Sequence, residues 1–152
     1  MRFPVLVAAV GVCSATAVAP ARAQSGAAHV AIDTTITVRA RTSTLEFDPP
    51  AIAARHGTRV RIRFSNMGTL PHNFVVVRDD NDIDELAAAA SKMGGDYVPV
   101  ALKAKMIAYS TLASPGQTVE VTFVMPPAGE YTYVCLMSGH ANSMLGRLRS
   151  LR

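Results

Sequence analysis

Arg59-Val60-Arg61-Ile62-Arg63-Phe64 alternates charged and apolar side chains without a break, and a period of two suits a strand with one wet face and one buried face. Val60, Ile62 and Phe64 then point into a core, and the three arginines form a solvated stripe with a minor use in docking an acidic partner. Thr37 to Thr42 alternates in the same way, and further strands are read at His72–Val77, Thr118–Phe123, Glu130–Cys135 and Gly146–Leu151. Turn signals separate them: Pro49-Pro50, His56-Gly57, Asn66-Met67-Gly68, Ser114-Pro115-Gly116 and Pro126-Pro127-Ala128-Gly129. The one helical stretch is an insertion around residues 82–93, with acids in its first turn, a run of four alanines and a stop at Gly94-Gly95. Short antiparallel strands with no alternating strand–helix pattern predict an all-β protein, a Greek-key β-sandwich or a barrel of that type, with a short helical insertion.

The 152 residues begin with a different kind of segment. Met1-Arg2-Phe3 is a short positive start, Val5–Ala19 an apolar run, and Ala21-Arg22-Ala23 a small-residue cleavage pattern, so residues 1–23 read as an export signal cut near Ala23. The apolar run is shorter than the roughly 20 residues a spanning helix needs, and no later stretch approaches that length. A flexible segment over 24–34 and a single domain over 35–152 are expected, with a periplasmic location and no membrane span. Arg2 and Arg22 leave with the signal, which halves the formal excess of +4, and the basic pI gives no support to a nucleic-acid partner. Cys13 leaves too, so Cys135 has no internal partner for a disulfide in a compartment where disulfides are the usual use of cysteine. It is an inert buried thiol, an intermolecular link or a ligand.

The neighbours of Cys135 favour ligation. Cys135-Leu136-Met137-Ser138-Gly139-His140-Ala141-Asn142-Ser143-Met144 sets a thiol, an imidazole and a thioether on one loop in a C-x4-H-x3-M pattern. Soft and borderline donors of this kind suit copper, whereas calcium and magnesium want oxygen. Gly139 gives the loop freedom to turn beside His140. A sandwich can bring His72, at the start of another strand, beside this loop. His72, Cys135 and His140 with Met144 as a weak axial donor would form a blue-copper electron-transfer site. Met137 is a competing axial candidate, but it fits an apolar surface better because the loop must turn after it.

On these residues the chain resembles a cupredoxin, a type 1 blue copper protein of the plastocyanin/azurin family, and its ligand loop is similar to that of azurin and auracyanin. The likeness runs from about Thr35 to Arg152 and includes the helical insertion and Ile107-Ala108-Tyr109-Ser110, which resembles the azurin flap. Pro71 stands before the first histidine as in plastocyanins, the azurin disulfide has no counterpart, and no proline precedes Gly139. The resemblance implies one copper held by His72, Cys135, His140 and Met144. Asn73 would donate its backbone N–H to the thiolate and tie the two ligand loops together with its side chain, beside Pro71. It also implies an electron carrier rather than an enzyme, docking a redox protein such as a cytochrome or copper enzyme through Leu70, Pro71, Leu136, Met137, His140 and Ala141.

Rival readings are a copper-delivery protein that is not a redox shuttle, and an enzyme. The enzyme reading is disfavoured because Val134 and Leu136, not histidines, flank Cys135, and a dinuclear centre would need a second cysteine. His29 and His56 have no donor neighbours and read as surface residues. Asp80-Asn81-Asp82-Ile83-Asp84 starts like a calcium loop but puts Glu85 where the turn glycine belongs and Ser91 where the closing glutamate belongs.

Overall fold

The computed structural model describes residues 31–152; the stretch read as an export signal, most of the 24–34 segment and His29 lie outside the described residues. Among the described residues nine strands form two sheets. They are β1 (Thr34–Ala40), β2 (Phe47–Asp48), β3 (Ala51–Arg55), β4 (Arg59–Asn66), β5 (Val75–Val77), β6 (Met106–Tyr109), β7 (Thr118–Val124), β8 (Gly129–Val134) and β9 (Leu145–Leu151). One sheet has the order β2-β1-β4-β7 and the other β3-β9-β8-β5-β6. The expected β-sandwich is present, but its strands are not all antiparallel: β1 runs parallel to β4, and β3 parallel to β9. The chain leaves the first sheet after β2, turns at Pro49-Pro50, and runs β3 along the second sheet before returning as β4. It therefore re-enters beside β1 in the same direction.

The alternation in β4 does what its period requires. Val60, Ile62 and Phe64 are fully buried, and they pack with Val38 and Ala40 of β1, Phe47, Phe74, Tyr133 and Leu148. Phe47, Phe74 and Tyr133 meet edge-on or stacked, with centroids 4.9 to 5.9 Å apart. The outward Arg61 and Arg63 both reach Glu120 on β7, at 3.5 and 3.2 Å, so part of the arginine stripe is answered within its own sheet.

β5 reads Val75-Val76-Val77 with every residue buried. Val76 joins the main core, while Val75 and Val77 face a second apolar cluster. That cluster is closed by the helix α1 (Ile83–Ala90), whose Leu86 and Ala90 cover the outside of the second sheet. α1 is shorter than the sequence suggested: Asp80–Asp82 is a 3-10 turn capped by the Asp79 carboxylate, and the helix ends at Ala90, with Ser91 as its C-cap. Among the described residues no helix is long and apolar enough to cross a membrane.

Candidate metal centre

His72 stands in the connection between β4 and β5, where its backbone pairs with Ala113: His72 N–H donates to Ala113 O at 3.1 Å and Ala113 N–H to His72 O at 2.8 Å. Cys135 follows β8, and its N–H donates to Met144 O at 3.1 Å. The loop between them winds tightly. His140 N–H donates to Met137 O at 2.9 Å and Met144 N–H to His140 O at 2.8 Å, with Gly139 in the left-handed region at φ +83°. A side chain at residue 139 would strain that turn.

These two segments bring Nδ1 of His72 to 3.7 Å and Nδ1 of His140 to 3.6 Å from Cys135 Sγ. All three donor atoms lie within 4.8 Å of one another, and the imidazole rings are 5.0 Å apart. The spacing suits a metal ion. Metal bonds of about 2.3 Å to sulfur and about 2.0 Å to nitrogen, opened to roughly 120°, put the donor atoms about 3.7 Å apart. Met144 is fully buried in the main core cluster with Cys135. Met137 is partly buried at the same cluster, and its backbone N–H faces the thiol.

The electrostatics prepare the donors for a cation. Burial and the neighbouring His140 lower the pKa of His72 to about 4, and burial lowers that of His140, so both imidazoles stay neutral as ligands must. Burial pushes the Cys135 thiol up, opposed by the N–H groups of Asn73 and Met137. A thiolate here needs a positive charge beside it, which a metal ion provides. The Asn73 side chain bridges two segments: Oδ1 accepts from Leu136 N–H at 2.8 Å and Nδ2 donates to Asp96 O at 2.8 Å. Asp96 offers a backbone carbonyl here, and no signal in its residue type marks that role.

A match to the copper-binding proteins of the plastocyanin/azurin family covers residues 34–149. The chain belongs to that family. It is 36% identical over 118 residues to auracyanin-A of Chloroflexus aurantiacus, covering 75% of this chain and 72% of the relative. It is also 36% identical over 91 residues to a plastocyanin of a Synechococcus species, covering 60% of this chain and 54% of that protein. The solved structure of auracyanin A, a blue copper protein of C. aurantiacus, superposes with a TM-score of 0.73 at 36% identity over 76% of this chain and 97% of its own. Cupredoxins are electron-transfer proteins, not enzymes, and the one His/Cys/His cluster among the described residues fits a single copper.

The expected docking surface needs correction. Leu136 is 1% exposed and Ala141 6%, because both pack in the cluster under α1 and not at the surface. Leu70 is 46% exposed, Pro71 and Met137 partly so, and Met67, absent from the expected patch, is 54% exposed. His140 is nearly covered at 5%. The exposed His56 is a surface residue as read.

Proposed function

We propose that this protein is an exported, periplasmic electron carrier that works at one type 1 copper, with His72, Cys135 and His140 as the strong donors and Met144 as the weak axial one. The observation that carries this reading is the buried convergence of two neutral Nδ1 atoms on one thiol, at 3.6 and 3.7 Å. When bound, the ion supplies a one-electron Cu(II)/Cu(I) couple. The chain holds the donors in place, keeps both histidines neutral, and aims two N–H groups at the sulfur. Burial of all three donors excludes water and limits how far they can move between oxidation states. The leader-like pattern in residues 1–23 supports export to the periplasm.

Leu70, Pro71 and Met137, which flank the ligand segments and are exposed or partly so, are the apolar residues left there for docking a redox protein such as a cytochrome or a copper enzyme, and interfaces of such encounters are small. The test is the visible spectrum of residues 24–152 after addition of Cu(II). An intense blue band that bleaches with a mild reductant and returns on oxidation is expected. Copper bound without that band would remove Cys135 from the ligand set and put copper delivery ahead of electron transfer.

A further inference from the structure

Behind His72 the chain makes a close approach at a glycine. Gly68 is buried, and a Cβ there would lie 3.0 Å from the Arg41 carbonyl oxygen, 3.3 Å from Asn66 Oδ1 and 3.3 Å from His72 Nε2. The nearest of these is a backbone atom at the end of β1, where Arg41 N–H is itself held by Glu46 O at 3.0 Å, so it cannot swing aside as a side chain can. Gly68 is not among the glycines with positive φ. The demand at this position is for space, not for an unusual backbone conformation.

Asn66 fixes the same region from inside. Its fully buried amide donates through Nδ2 to Leu70 O at 2.7 Å and to Ala113 O at 2.8 Å, and its Oδ1 accepts from Gly68 N–H at 2.9 Å. Leu70 lies two residues before His72, and Ala113 is the residue whose backbone pairs with it. One side chain therefore ties down both segments that carry the imidazole. Nδ1 of that ring faces Cys135, which leaves Nε2 as the back of the ring, against Gly68.

We propose that Asn66 and Gly68 are positioning residues for His72: Asn66 anchors its backbone from two sides, and the absent side chain at Gly68 sets how far the ring can stand back from Cys135. The inference rests on the reading of His72 as a metal donor, and its test separates the two. Gly68→Ala and Asn66→Ser are compared with Phe123→Leu, a core change on β7 opposite Val60 and away from His72. Each is studied in the mature protein, metal-free at pH 8 by the ¹H–¹⁵N correlations of the histidine rings, then by Zn(II) affinity and by the visible spectrum with Cu(II).

Gly68→Ala should move the His72 ring resonances more than those of His140, leave His56 in place, weaken Zn(II) binding about 10-fold or more, and shift the visible bands. Phe123→Leu should lower the melting temperature and change none of these. A Gly68→Ala protein with wild-type His72 resonances and Zn(II) affinity, or changes shared equally by Phe123→Leu, would overturn the proposal. Should Gly68→Ala not fold, Asn66→Ser decides by the same readouts. If the wild type binds Zn(II) but never turns blue with copper, the electron-carrier reading fails, while the metal-free ring resonances still judge the positioning role.

Discussion

Asn73 joins three segments through three different atoms. Its backbone N–H faces the Cys135 thiol, its Oδ1 receives Leu136 N–H, and its Nδ2 reaches Asp96 O. Asn73→Ala would keep the first and lose the other two, leaving the buried Leu136 N–H unpaired. The expected loss is about 1–3 kcal/mol for the one buried donor left unmade, with little added by the part-buried bond to Asp96, read as a lower urea midpoint with a displaced visible band. Met144→Leu tests the axial assignment: the colour should persist and the potential rise, because losing a weak axial donor destabilises Cu(II) more than Cu(I). An unchanged potential would point to Met137 or to no axial donor. At this scale His72, Cys135 and His140 were legible because donor chemistry shows in residue type and spacing. Asn66 and Ala113 were not, since the contacts that join residues 66 and 72 to residue 113 run through backbone groups far apart in sequence. Leu136 was misplaced for a related reason: position beside a ligand says nothing of the face a side chain takes, and α1 covers that face.

At the scale of elements, legibility followed contrast between neighbouring side chains. β4 and β7 announce themselves by alternation. β3 reads Ala-Ile-Ala-Ala-Arg, where only Ile52 gives a clear inward signal, and the two-residue β2 is too short to show a period at all. The parallel pairings depend on which sheet the chain enters after Pro49-Pro50, a tertiary choice with no local signature. The seam between β8 and β9 carries a sharper requirement. Gly146 lies opposite Tyr133, and a Cβ on it would fall 2.1 Å from the Tyr133 ring. That ring is wedged between Phe47 and Phe74, and its hydroxyl donates to Pro49 O at 2.7 Å, tying β8 to the corner before β3. Gly146→Ala must displace the ring or part the strands, and overpacking of this kind costs about 1–3 kcal/mol or more. A fall in melting temperature is expected, with partial relief in the double variant Gly146→Ala/Tyr133→Phe, which frees the ring from Pro49. No loss in the single variant would mean that the ring does not occupy that space in solution.

For the molecule as a whole, a site that keeps its histidines neutral makes stability depend on pH. His72 is 2% exposed, and burial together with the neighbouring His140 lowers its pKa from 6.5 to about 4. Between those two values the unfolded chain binds more protons than the folded one, so stability rises with pH through that window. The contribution is complete above pH 6.5 and is lost as the pH falls toward 4, amounting to at most about 3 kcal/mol at roughly 1.4 kcal/mol per unit. His140, also lowered by burial, adds in the same direction. Metal-free protein should therefore show a urea midpoint that drops between pH 7 and pH 4.5, and His72→Gln should flatten the drop. Protein loaded with metal should resist longer, because a bound ion stabilises only the folded state and protons must displace it before the histidines can charge. Equal slopes for wild type and His72→Gln would show that His72 is hydrated enough to titrate normally, and the acid sensitivity would then belong to carboxylates such as Asp80, whose pKa is held down by Thr132 and Arg147.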